Sequence, residues 1–148
     1  MTQKALLQSA GDGTAVPDGY VGQRLTASGT QTGSASGVVT VNLGTGVTLT
    51  PGVWIVQAMA EASLIAPRRL EIWITNSANA QISDSDSLNF GSVISDTGNT
   101  ANANRINTGL YNFRVPAGST QILKAQSIVN FPSAGGTVLI FLQAYRIA

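Results

Sequence analysis

The side chains able to do chemistry are few, and their spacing is unfavourable for most of it. The carboxylates are Asp12, Asp18, Glu61, Glu71, Asp84, Asp86 and Asp96. A glycosidase needs two carboxylates flanking a cleft, and Glu61 and Glu71 are the pair that adjacent strands would bring closest. No aromatic sugar platform accompanies them, so pairing with Arg68 or Arg69 at the surface is the favoured expectation. Asp84-Ser85-Asp86 opens like a calcium loop, but Asn89 and Ser95 stand where the sixth-position Gly and twelfth-position Glu are required. A solvated Asx-rich turn is the default reading. Gly11-Asp12-Gly13 lacks the Lys and following helix of a phosphate loop and reads as a hinge. A Ser-Lys dyad would have to use Lys4 or Lys124, which fall in a polar arm and in a strand pattern.

The absences exclude more than the residues present. The chain contains no His and no Cys. The usual structural zinc sites are therefore excluded, as are Ser-His and Cys-His nucleophiles and any disulfide framework. No cofactor and no metal is expected, and the chain reads as a non-enzyme.

At 148 residues the chain is long enough to bury one core without staples. Only 10% of its residues are charged, against roughly a quarter in ordinary soluble domains, so Ser, Thr, Asn, Gln and Gly must supply its contact with water. A formal net charge of +1 gives no field for steering toward nucleic acid or anionic lipid. No apolar run approaches the ~18 residues of a membrane helix. The N-terminus has too short an apolar stretch for a signal peptide. Neither nucleic acid nor membrane is expected as a partner, and synthesis in a cytosol is.

The elements that must position any site read as β-strands. Tyr20–Ser28, Gly37–Leu43, Val53–Glu61, Arg68–Thr75, Phe90–Ile94, Arg105–Val115, Thr120–Val129 and Thr137–Arg146 are rich in Val, Ile, Thr and aromatics. Turn chemistry such as Thr-Pro-Gly and Pro-Ala-Gly-Ser separates them. No segment of ten residues carries a 3.6-residue period. The expectation is all-β: a single antiparallel β-sandwich or jelly roll of about eight strands over residues 20–148. Residues 1–19, too polar and Gly-rich for core, read as an extended arm that includes Pro17 and leads to Tyr20. A long polar loop is expected over 76–104, broken by a short apolar piece.

Alternation fails in two strands. In Val53–Glu61 one face carries Trp54, Val56, Ala58 and Ala60, and the other carries Val53, Ile55 and Met59, interrupted by Gln57. In Thr137–Arg146 one face carries Val138, Ile140, Leu142 and Ala144, and the other Leu139, Phe141, Gln143 and Tyr145. A half-exposed antiparallel strand alternates apolar with polar. Both faces are therefore expected to be covered, by a long loop or, in the favoured reading, by another copy of the chain. Trp54, Trp73, Ile55, Met59, Phe141, Tyr145, Arg68 and Arg69 are the interface candidates. Trp54 and Trp73, expected on adjacent strands, are anchors of core or interface.

Three segments resemble a known family. Ala15–Gln23, Ala-Val-Pro-Asp-Gly-Tyr-Val-Gly-Gln, is similar to a segment of phage tail-fibre and head-decoration proteins that leads into a small antiparallel domain. Val47–Val56, Val-Thr-Leu-Thr-Pro-Gly-Val-Trp-Ile-Val, resembles the family's strand, Pro-Gly turn and Trp-bearing strand. Thr137–Ile147 resembles its closing strand with an Ala-x-Arg-Ile tail. The resemblance implies a jelly-roll-like, commonly trimeric virion subunit with no catalytic site. The short region before the domain favours a capsid cement or decoration protein held by self-association and by arm contacts with the major capsid protein. The alternative is a receptor-binding tip of a tail fibre, recognising host glycan or protein through the 76–104 loop. Either way the expected location is the virion, assembled in the host bacterial cytoplasm, with a capsid or tail protein as partner.

Overall fold

The structure is a computed structural model that describes residues 20–33, 36–64, 67–82 and 105–148, together with the backbone of 91–95. The expected arm with Pro17, and the Asp84-Ser85-Asp86 run, lie outside the described residues.

Among the described residues, ten strands form two five-stranded antiparallel sheets. They are β1 (Arg24–Thr32), β2 (Gly37–Asn42), β3 (Val47–Leu49), β4 (Gly52–Ser63), β5 (Arg69–Asn76), β6 (Gly91–Ser95), β7 (Arg105–Asn107), β8 (Tyr111–Val115), β9 (Gln121–Phe131) and β10 (Thr137–Arg146). Sheet A runs β1-β10-β4, with β7 and β8 sharing the far edge of β4. Sheet B runs β2-β9-β5-β6, with β3 beside β2 along β9. If β2 with β3 and β7 with β8 are each one broken edge strand, eight strands remain. Every connection but β5 to β6 then passes from one sheet to the other. This is the jelly roll expected from the sequence.

The core lies between the sheets and follows the period of two. Trp54, Val56, Ala58, Ala60 and Ala62 of β4 point inward, as do Val138, Ile140, Leu142 and Ala144 of β10. Leu70, Ile72 and Ile74 of β5 face them, with Leu123, Ala125, Val129 and Phe131 of β9. The small alanines of β4 and the branched residues of β5 belong to one buried cluster. Each fully buried Leu, Ile or Val stabilises the fold by about 1.5–3 kcal/mol before entropy is charged.

Several boundaries differ from the sequence reading. The first strand begins at Arg24, because Tyr20–Gly22 form a turn in which Gln23 N donates to Tyr20 O at 3.1 Å. The segment expected as one strand over Arg105–Val115 is broken at Thr108–Leu110. The short β3 is not among the eight strands read from residue pattern, although the resemblance of Val47–Val56 implied a strand before the Pro-Gly turn. Trp54 and Trp73 are not on neighbouring strands: β4 belongs to sheet A and β5 to sheet B, because successive strands of a jelly roll change sheets.

Candidate interaction surface

The outward face of sheet A is built by the two strands whose alternation failed. β4 and β10 are hydrogen-bonded neighbours at the centre of that sheet. Their register sets Ile55 beside Tyr145, Gln57 beside Gln143, Met59 beside Phe141 and Glu61 beside Leu139. Their outward side chains therefore merge into one stripe. Ile55, Met59, Leu139 and Phe141 are half-buried, and Tyr145 is 37% exposed. The interface candidates Ile55, Met59, Phe141 and Tyr145 are thus brought together on one surface.

At the middle of the stripe the polar groups satisfy one another. Gln143 Nε2 donates to Gln57 Oε1 at 3.0 Å, Tyr145 OH donates to Gln143 Oε1 at 3.3 Å, and Gln57 Nε2 donates to Thr108 O at 3.3 Å. Burying an amide without a partner costs about 1–3 kcal/mol. Here those bonds already exist within the protomer, so a partner can cover the stripe at little polar cost.

The rim is polar on both sides. Thr26, Ser28 and Thr30 of β1 flank β10, and Arg24 lies over the Tyr145 ring, 5.6 Å from its centroid. Asn107, Asn112 and Arg114 flank β4, and Arg105 Nε donates to Glu61 Oε2 at 3.0 Å. An apolar centre, depleted of charge and ringed by exposed polar groups, is the anatomy of a protein interface.

The remaining candidates are placed elsewhere. Trp54 has no exposed surface and stands in the core, its Nε1 donating to Thr50 O at 2.9 Å, so it is not an interface residue. Trp73 and Arg69 lie on the outward face of sheet B. Arg68 is exposed just before β5, and Tyr20 is 55% exposed in the turn before β1. Glu61 and Glu71 point outward from opposite sheets, so the two-carboxylate cleft is not assembled. Glu71 pairs with Arg69, as expected, while the partner of Glu61 is Arg105.

The glutamine pair and Thr108 were missed in the sequence. Gln57 and Gln143 each interrupt an apolar run, which is a visible signal. That they face each other follows only from the register. Thr108 is buried between β7 and β8, where its Oγ1 accepts Ala58 N–H at 2.9 Å and its own N donates to Ala58 O at 2.9 Å. It carries the β4 ladder across the break.

Gly22 and Gln23, Val53, and Arg146 to Ala148 meet at one end of sheet A. Gly22 N donates to Arg146 O at 2.8 Å and Arg146 N to Gln23 O at 2.9 Å, while Val53 N donates to Ala148 O at 2.7 Å and Ile147 N to Val53 O at 2.8 Å. These bonds join the starts of β1 and β4 to the end of β10.

No protein-family model matches the sequence, and no curated protein matches it. Among solved structures, the chain is similar to the acid-stable capsid of Helicobacter pylori bacteriophage KHP30. The TM-score is 0.44 at 11% identity, over 84% of this chain and 89% of that one. It is also similar to the C-terminal CBM6 of LamC from the marine organism Zobellia galactanivorans, with TM-score 0.37 at 10% identity over 84% and 100%. A third is VP2 of infectious bursal disease virus, with TM-score 0.27 at 14% identity over 83% of this chain and 38% of that one. Capsid proteins and a carbohydrate-binding module stand together in this set, so the functional reading rests on the chain's own geometry.

Proposed function

We propose that the chain is a non-enzymatic structural subunit of a phage particle, assembled with copies of itself through the outward face of sheet A. The observation that carries this reading is the apolar stripe of Ile55, Met59, Leu139, Phe141 and Tyr145, whose central glutamines are already hydrogen-bonded. A solvated antiparallel face has no reason to be apolar across two neighbouring central strands. A face destined for burial does.

The finer assignment is a cement or decoration protein on the head. It rests on the resemblance of Ala15–Gln23, Val47–Val56 and Thr137–Ile147 to such proteins, which also favours three copies. Few charged residues suit contacts that are apolar and hydrogen-bonded, and therefore weakly dependent on salt. Residues 1–19 are assigned to the major capsid protein as a pairing arm, and repetition over a symmetric shell multiplies a modest single contact. The absence of His and Cys from the sequence, together with Glu61 and Glu71 on opposite faces, supports a subunit without catalysis.

Mass spectrometry of purified virions, with heads and tails separated, tests the assignment. The chain is expected in the head fraction in fixed ratio to the major capsid protein. Recovery with tails alone would move it to the fibre-tip reading, and absence from both fractions would end the particle reading altogether.

A further inference from the structure

The outward face of sheet B carries a different arrangement, centred on Trp73. Its indole is half-buried on a surface whose neighbours are mostly polar. Trp73 Nε1 donates to Glu71 Oε2 at 2.8 Å, and Glu71 is itself paired with Arg69. These three residues alternate along one face of β5, so the ring is held over a carboxylate that is 3% exposed and neutralised from its other side. The ring is thereby fixed in orientation, and its support adds no net charge.

Across the sheet, the residue opposite Trp73 on β9 is Gln126, and the residue beyond it on β2 is Asn42. Gln126 Nε2 donates to Asn42 Oδ1 at 2.8 Å. That bond leaves the Gln126 Oε1 acceptor, the second Gln126 N–H and the Asn42 amide donors to face solvent. On the other side of Trp73 the register partner is Gly91. Thr75, two residues along the same face of β5, is buried, and its hydroxyl has no hydrogen-bond partner among the described residues. Strands lie ~4.8 Å apart, so the row from Asn42 to Trp73 spans roughly 10 Å.

A locked aromatic plane, a neighbouring amide pair with spare donors and acceptors, and no net charge suit a ligand with both C–H faces and hydroxyls. We infer that the Asn42–Gln126–Trp73 row is a binding site for a neutral oligosaccharide. The sugar ring packs its C–H face on the indole, and its hydroxyls exchange hydrogen bonds with the two amides. The row itself carries no net charge, because Glu71 is matched by Arg69, and the nearest cation on that face is Lys124, opposite Thr75 in the next row. Asn42 is exposed while Gln126 and Trp73 are half-buried, and so small and partly covered a row gives weak single-site binding, with a dissociation constant on the order of 1 mM. Copies displayed on one particle would convert this into useful avidity. The site is on the opposite sheet from the assembly face and stands or falls independently of it.

The test titrates the full chain with maltohexaose, cellohexaose and laminarihexaose, following tryptophan fluorescence and heat of binding. Because Trp54 is fully buried, a fluorescence change reports Trp73. Saturable binding of at least one of the three is expected, insensitive to salt. It should weaken by about tenfold in Trp73→Ala and in the paired variant Asn42→Ala/Gln126→Ala, each a loss of about 1.4 kcal/mol. Trp73→Phe, which keeps a ring, should retain part of the binding and guards against misfolding of the alanine variant. Met59→Asp on sheet A should bind as the wild type does. No saturable binding by any of the three sugars overturns the inference, as does binding that survives both the Trp73→Ala and the paired amide variants.

Discussion

Arg146 sits over Trp54 with its guanidinium carbon 5.8 Å from the ring centroid, while its Nη1 donates to Thr50 Oγ1 at 3.2 Å. The end of β10 is thereby pinned to the start of β4 by side chains as well as by the backbone bonds of Val53 with Ile147 and Ala148. Cation–π contacts of this kind contribute about 0.5–2 kcal/mol. Arg146→Ala should lower the urea midpoint by an amount equivalent to about 1–2 kcal/mol, and Arg146→Lys should recover part of it. Trp54→Ala removes a core side chain and should cost about 3–5 kcal/mol. An Arg146→Ala variant as stable as the wild type would remove this pair from the account of the fold.

Thr108 tests how the break between β7 and β8 is tolerated. Replacing it with Val keeps the shape but takes away the acceptor for Ala58 N–H. A buried donor left without a partner costs about 1–3 kcal/mol. Thr108→Val should show that loss in denaturant unfolding, with accelerated hydrogen exchange at the Ala58 amide. Thr108→Ser, which keeps the oxygen, should lose much less. Equal stability of the Val and Ser variants would contradict the role.

Gly46 marks a close approach of backbone to backbone. A Cβ there would fall inside van der Waals contact with the Leu123 carbonyl oxygen of β9. Because that carbonyl cannot rotate away, Gly46→Ala should destabilise by about 1–3 kcal/mol or more. Gly44→Ala, where nothing lies within 4 Å of the added carbon, serves as the control and should change stability little. The measurement is the pair of thermal midpoints, and equal midpoints would sink the explanation.

The exposed pair of Glu61 and Arg105 should matter little to the folded protomer. Surface ion pairs contribute about 0–1 kcal/mol, so Glu61→Gln should unfold within that margin of the wild type. A larger loss in the isolated chain would show that the pair is doing more than decorating the rim.

The sequence was readable where a strand buries one face and shows it. In β4 and β10 the period of two divides the residues into two faces and shows that both are apolar, but which face turns inward, Trp54 to Ala60 and Val138 to Ala144, is seen only in the fold. Thr-Pro-Gly before β4 marked its turn correctly, and Gly52 takes a φ of 145° there. What could not be read depends on partners far away in sequence. The three residues of β3 are too few to alternate, and they form a strand because Val47 and Leu49 dock on β9. The break at Thr108 is bridged by a side chain, which leaves no periodic trace. Nothing local says that the strands of Trp54 and Trp73 part into different sheets. The same limit applies to the site: the apolar residues were visible one strand at a time, but the Gln57–Gln143 pair exists only once β4 and β10 are in register.

The central claim is that the outward face of sheet A holds copies of the chain together, and the mass of the assembly in solution tests it most directly. Light scattering with size separation should give the wild type at about three times its 15.3 kDa protomer mass. Phe141→Asp, placed at the middle of the stripe where burial would strand a charge, should stay folded and run as a monomer. A wild type that is monomeric at high concentration, or a Phe141→Asp variant that keeps the wild-type mass, would contradict the account.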